Sequence, residues 1–215
     1  MFKKKLIGIK LKLISLLQWF NFVKDNYEKK PPIFTKKDSE GLKIHLGPGN
    51  VNLQGWINID GLRMPHIHNI DKDFDLKEFN DNSISEIYLS HVLEHFSFQD
   101  SKSFLQKLKS KLKSNGTLRI SVPDIDKILN AYNSTNNLKL LKNAIMGGQN
   151  TDLDFHKSIY NKIELENLLK EVGFKNISVW STKDEFGKSI GDWSDFEHKI
   201  NGQKFNLNLN LKASL

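Results

Sequence analysis

The sequence predicts an α/β fold, built on a mostly parallel sheet with an antiparallel strand at its C-terminal edge. Three observations carry this reading. From Leu42 onward, short apolar runs alternate with helical patterns, the mark of strand–crossover–strand units. Several runs end in glycine, an acid or proline, the residues that stop strands. The last run, Lys204 to Lys212, sets Phe205, Leu207, Leu209 and Leu211 against polar neighbours with period two, as expected of a strand with one wet face.

The elements follow in order. Leu42 to Leu46 is the first strand, closed by Gly47-Pro48-Gly49, and Trp56 to Ile59 is the second, closed by Asp60. Only the ten residues Gly47 to Trp56 join them. A parallel crossover normally takes about a dozen residues, so the first helix is short or missing. A short third strand falls near His68 to Ile70, and Ile84 to Leu89 is a fourth that runs into Ser90-His91. Ser101 to Lys113 is a helix with Phe104, Leu105, Leu108 and Leu112 on one face, ended by Asn115-Gly116. Thr117 to Val122 is the fifth strand, broken by Pro123-Asp124. Ile125 to Met146 is helical but interrupted around Asn133 to Asn137. Asn161 to Glu164 forms a capping box that opens a helix closed by Gly173, and Ile177 to Trp180 is a sixth strand. Asp184 to Glu197 reads as an acidic loop.

Composition narrows the function. The chain has 215 residues and no cysteine, which excludes disulfide scaffolds, cysteine-bound metals and cysteine nucleophiles. Its net charge of +7 suggests an anionic partner. That charge is unevenly placed. Residues 1–40 hold ten Lys and four acids, a net of +6, whereas residues 41–215 hold 22 basic and 21 acidic residues, a net of +1. The chain therefore divides into a basic amphipathic appendage with a linker (1–40) and a nearly neutral domain (41–215). No nucleic-acid substrate is expected in that domain. In the appendage, Leu13, Leu16, Leu17, Phe20, Val23 and Tyr27 share a helical face. It reads either as a packing helix or as an interfacial helix touching a membrane through residues 1–30. The cytoplasm, with a peripheral place at the inner face of the membrane, is the expected location.

Ligands of open α/β sheets bind beyond the carboxyl ends of the strands. Gly47 and Gly49 let a ligand approach the backbone, and Asp60 can accept both hydroxyls of a ribose. The spacing fits neither a dinucleotide fingerprint nor a Walker loop, since Asn52 holds the third glycine position and no Gly-Lys-Ser/Thr follows. A nucleoside cofactor without pyrophosphate is the consistent reading. No metal site is expected. Asp71, Asp73 and Asp75 lack the glycine and distal glutamate of a calcium loop, and His66 and His68 have no third ligand in sight.

The ordered set His45-Leu46-Gly47-Pro48-Gly49, Gly55-Trp56-Ile57-Asn58-Ile59-Asp60, Asp75-Leu76, His91-Val92-Leu93-Glu94-His95 and Leu112 through Asp124 resembles the class I S-adenosylmethionine-dependent methyltransferases. It is most similar to a small bacterial group associated with glycan modification. The resemblance spans about residues 43 to 180. It implies a Rossmann-like sheet, S-adenosylmethionine as cofactor, and methyl transfer to a small or glycan-type acceptor, a sugar hydroxyl or amine in polysaccharide biosynthesis. Gly47 and Gly49 would underlie the methionine part, Asp60 would hold the ribose, and Asp75 with Leu76 would meet the adenine. Ser90 and His91 would flank the sulfonium. His45 stands near the place of the first-strand acid common in other members. His91, His156 and Asp124 are the candidate bases, and Glu94-His95 is read as structural. Residues 124–155 and 184–197 would form the acceptor lid. Two alternatives from another class remain: a methyltransferase-like scaffold without turnover, and an RNA-binding protein using its basic N-terminus.

Overall fold

The computed structural model describes residues 41–215, so the expectations for the basic N-terminal segment lie outside the described residues. Strands β1 (Leu42–Leu46), β2 (Ile57–Asp60), β3 (Asn69–Ile70), β4 (Ile84–Ser90), β5 (Leu112–Pro123), β6 (Lys175–Val179) and β9 (Asn208–Ser214) form one sheet. Its order is β3-β2-β1-β4-β5-β9-β6. β1 pairs in parallel with β2 and β4, and β4 with β5. β9 runs antiparallel to both β5 and β6. The final strand is thus antiparallel as expected, but it lies inside the sheet. Its alternation reflects burial on one face with partners on both sides, and the edge strand is β6, whose residues are mostly exposed.

The helices are α1 (Asp100–Lys111), α2 (Ile125–Thr135), α3 (Leu138–Met146), α4 (Lys162–Val172) and the short α5 (Thr182–Phe186). No helix joins β1 to β2; the connection is turns alone, as its length requires. The interruption between α2 and α3 falls at Asn136, which adopts φ +49°. Asn161 caps α4 by accepting the Glu164 N–H at 2.9 Å, and Gly173 closes it in the left-handed region. α1 ends at Lys111, earlier than its apolar pattern suggests. Leu112 turns extended there and pairs with Ile84 at the start of β4.

The acidic loop expected over 184–197 is partly ordered. It holds most of α5, a 3-10 turn (Trp193–Asp195) and the entry to a hairpin, β7 (Glu197–Ile200) with β8 (Gln203–Asn206). Asn201 and Gly202 make its turn with φ +49° and +86°. Asn-Gly is the pair that a tight hairpin turn of this hand favours, and it was readable in the sequence. The strand expected over Lys204 to Lys212 is therefore two strands that meet at Leu207. Among the described residues, no helix is long and apolar enough to cross a membrane.

The two faces of the sheet carry different cores. One face packs Ile44, Leu46, Ile87, Leu89, Leu118 and Ile120 against α1 and α4 through Phe104, Leu105, Leu165 and Leu169. The other gathers Trp56, Tyr88 and Trp180. His45 belongs to this second cluster. It is 1% exposed and its ring stacks on Tyr88 at 4.8 Å. Burial, then the charge of His66, pulls its pKa from 6.5 down to about 3.

That shift links stability to pH. The native state keeps His45 neutral, whereas an unfolded histidine protonates near pH 6.5. Below that pH the unfolded chain binds the extra proton, so stability falls as pH drops from about 6.5 toward 3 and is unaffected above. Between pH 6.5 and 4.5 the loss from this residue is about 2 kcal/mol. His45→Phe keeps a ring on Tyr88 and removes the titration. Urea unfolding of both proteins should show the variant gaining on the parent as pH falls. A difference that stays constant with pH would refute the assignment.

Candidate active site

At the carboxyl ends of β1, β2 and β4 lies a cavity of about 790 Å³, walled by Gly47, Gly49, Asp60, Phe74, Val92 and the 150–154 loop. The loop after β1 is shaped for close approach. Gly47 sits at φ +60°, and a Cβ there would fall 2.4 Å from Val92 Cγ2. Gly49, at φ +54°, has nothing within 4 Å of where its Cβ would stand. Asp60 ties this loop to β2. Its Oδ2 accepts the Gly49 N–H at 3.1 Å and its Oδ1 accepts the Leu62 N–H at 2.8 Å. Burial raises the carboxyl above its ordinary pKa, while these N–H donors act against the rise. From behind the loop, His66 Nε2 donates to the Gly49 carbonyl at 2.8 Å.

S-adenosylmethionine fits these residues. Each Asp60 oxygen keeps a lone pair for one hydroxyl of a ribose diol. The cavity wall holds five carboxylates (Asp60, Asp73, Asp100, Asp152, Asp154) against three lysines (Lys72, Lys107, Lys157), a balance that favours a cationic sulfonium.

Several residues expected at the cofactor do not line this cavity. His45 lies on the opposite face of the sheet. Ser90 lies on the same face as Tyr88, two residues before it, and is 6% exposed. Alternation along β4 thus separates Ser90 from His91. Leu76 is fully buried in the core. Asp75 is not part of the wall; it pairs with Lys107, which is, at 2.5 Å, and with Lys77 at 2.7 Å. Hydrogen bonds to those two ammonium groups, Lys107 first, hold its pKa down to about 2. The pair two residues earlier, Asp73 and Phe74, lines the wall instead. The backbone carries them there: Phe74 and Leu76 both adopt positive φ, so no strand periodicity governs the segment.

A second cavity, of about 230 Å³, adjoins the first and shares His95, Asn150 and Asp154 with it. His91, His156, His198, Trp193 and Asn208 complete most of its wall. It brings together His91 and His156, which lie far apart in the chain, but not Asp124. That carboxylate caps α2, accepting the Asp126 N–H at 3.1 Å, and burial raises its pKa. A residue that leaves a strand and opens a helix faces its own helix N-terminus, which removes Asp124 from the cavity.

Glu94, read from sequence as structural, is the centre of this region. It is 1% exposed, with Oε1 3.2 Å from His91 Nδ1 and 3.8 Å from His156 Nε2. Burial alone would raise its pKa. The charges of His91, His95 and His156 outweigh that and hold it below the ordinary value. Burial, opposed by the Glu94 charge, lowers the His156 pKa. The H-x-x-E-H spacing was the available signal, because it sets His91, Glu94 and His95 around one turn.

Comparison with known proteins finds solved methyltransferases to which the chain is similar. A solved S-adenosylmethionine-dependent methyltransferase from Thermotoga maritima, described as a possible histamine N-methyltransferase, shares 17% identity at a TM-score of 0.51, over 81% of this chain and 82% of that one. A methyltransferase from Archaeoglobus fulgidus shares 15% identity at 0.48, over 96% and 94%. The 1,6-didemethyltoxoflavin N1-methyltransferase of Burkholderia thailandensis, solved with S-adenosylhomocysteine, shares 12% at 0.49, over 98% and 88%. No curated protein matches the sequence significantly. Residues 38–179, well over half of the chain, match the family described as Methyltransferase domain. The chain belongs to that family and is a class I S-adenosylmethionine-dependent methyltransferase.

Proposed function

We propose that the enzyme transfers the methyl group to a hydroxyl or amine of a small, polar acceptor of sugar size, seated in the smaller cavity. The observation that carries this reading is the pair of adjoining cavities. The larger holds the glycine loop and Asp60, and the smaller is walled by four imidazoles, three amides, a carboxylate and an indole among other residues. Methyl transfer from a sulfonium is an in-line displacement, so the protein must hold nucleophile and methyl carbon on one axis. A shared wall at His95, Asn150 and Asp154 puts the two reactants side by side.

Gly47 and Gly49 hold the methionine part, Asp60 the ribose, and Asp73 with Phe74 the adenine end. The volume of the acceptor cavity is below the roughly 300–1,000 Å³ of drug-sized pockets, which favours a small acceptor or the end unit of a longer one. Its imidazoles and amides, set beside Trp193, suit a hydroxyl-bearing ring, and a glycan of the kind handled in polysaccharide biosynthesis is the leading candidate. His91 and His156 take the proton that the nucleophile loses. Glu94 between them orients both rings and stabilises the imidazolium that forms.

Asp60→Ala should weaken binding of S-adenosylhomocysteine in calorimetry by roughly 100-fold, the loss of two charge-assisted hydrogen bonds, while circular dichroism stays native. Gly47→Ala should do the same by pushing its Cβ into Val92. Unchanged affinity in both would remove the cofactor assignment. His91→Ala and His156→Ala should lower turnover by about 10²–10⁴-fold at unchanged cofactor affinity. The acceptor is sought by transfer of labelled methyl to nucleotide sugars, cell-envelope glycans and small amines. Labelling of RNA alone would overturn the small-acceptor reading.

A further inference from the structure

Glu94, His95 and His156 each offer one ligand atom, and these atoms all lie within 4.8 Å of one another. Among the described residues, neither Glu94 oxygen receives a hydrogen bond, although the carboxylate is 1% exposed. A buried carboxylate without donors is costly unless a proton or a cation sits against it.

The neighbouring rings do not supply donors in their neutral forms. His95 Nδ1 lies 3.1 Å from the Phe155 carbonyl, which can only accept, so Nδ1 carries the proton and Nε2 keeps its lone pair. His91 Nε2 lies 3.0 Å from Asn208 Oδ1. The Asn208 amide is oriented by its Nδ2, which donates to the Phe196 carbonyl at 3.3 Å. His91 Nε2 therefore carries a proton, and in the neutral ring the Nδ1 lone pair faces Glu94 Oε1 at 3.2 Å. His156 turns Nε2 toward the same oxygen and is held by a hydrogen bond to the Ala144 backbone. The carboxylate is thus ringed by acceptors whose outer nitrogens are already committed. Protein carbonyls and amides that fix the outer nitrogen of an imidazole are the usual support of a metal-binding histidine.

We infer that Glu94, His95 and His156 bind one divalent first-row transition metal ion. Two imidazoles, one carboxylate and no sulfur suit Zn²⁺, Co²⁺, Fe²⁺ or Mn²⁺. The ligand atoms must close up slightly to reach metal bonds of about 2.0–2.2 Å, which side-chain rotation allows. His95 and His156 line the acceptor cavity, so an open coordination position faces the acceptor. An acceptor hydroxyl bound there is made more acidic, and His91 is left to take its proton. This acceptor role rests on the function proposed above; the ion site itself does not. It also replaces the expectation from sequence that the chain has no metal site.

The test uses the full chain, stripped with chelator and titrated with Co²⁺ and with Zn²⁺ alone. One equivalent should bind, with visible Co²⁺ absorption typical of nitrogen and oxygen ligands. Glu94→Gln, His95→Ala and His156→Ala should each weaken binding by roughly 10–100-fold or more. His66→Ala and His68→Ala, at the remaining close histidine pair, should leave it unchanged. His95 is only partly buried, so His95→Ala keeps the test decisive should Glu94→Gln fail to fold. Absence of stoichiometric binding, or binding lost through His66 and His68 instead, would overturn the site. S-adenosylhomocysteine affinity, measured on the same samples, separates the two readings. Cofactor binding without metal binding sinks the ion site alone. Metal binding with no transfer to any hydroxyl acceptor upholds the site and sinks its acceptor role.

Discussion

A β-strand sends successive side chains to opposite faces, and at the carboxyl end of this sheet that alternation sorts the chemistry. On β1 it sends Leu46 to one core and His45 to the other, against Tyr88. On β4 it sends Tyr88 and Ser90 together, away from Leu89. The glycine loop, Asp60 and the strand ends can then converge on one rim while the aromatic cluster closes the far face. Neither face has room for a register slip, because one residue of displacement would exchange a histidine and a tyrosine for aliphatic core.

Charge follows the same division. On the aromatic side, Arg119 pairs with Glu86 and with Glu185, Lys43 reaches Glu86 at 2.5 Å, and Lys212 reaches Glu185 at 2.5 Å. This row crosses β1, β4, β5 and β9 and anchors α5 to the sheet. It satisfies its members locally and leaves nothing for a ligand. On the rim, by contrast, Asp60 has spare lone pairs, and the Glu94 carboxylate receives no hydrogen bond among the described residues. Polar groups left short of partners in a folded core mark the place where a ligand or ion completes the structure.

The Glu94 cluster also explains how distant segments meet. His91 and His95 come from the turn after β4, His156 from the segment after α3, and Asn208 from the start of β9. The Lys157 and Ser158 N–H groups both donate to the Glu94 carbonyl, at 2.8 and 3.2 Å. The backbone that delivers His156 is therefore fastened to the residue its side chain faces. Turn, returning segment and terminal strand are held at one point, and the smaller cavity opens beside it.

The amino-acid sequence by itself determined the alternation of strands and helices, a first crossover with at most a short helix, the caps at Asn161 and Gly173, and the glycine loop paired with Asp60. Each depends on residues close in the chain, whose periodicity and backbone preferences act locally. It also carried, unread, the Asn201-Gly202 hairpin turn. Only the tertiary structure decided that the final strand lies inside the sheet, because strand order depends on partners far away in sequence. It likewise decided that Asp73 and Phe74, and not Asp75 and Leu76, line the larger cavity, and that Asp124 caps its own helix. The gathering of His91, Glu94, His95 and His156 belongs to the same class. His156 lies 62 residues beyond Glu94, and only the packing of the returning chain brings the two together.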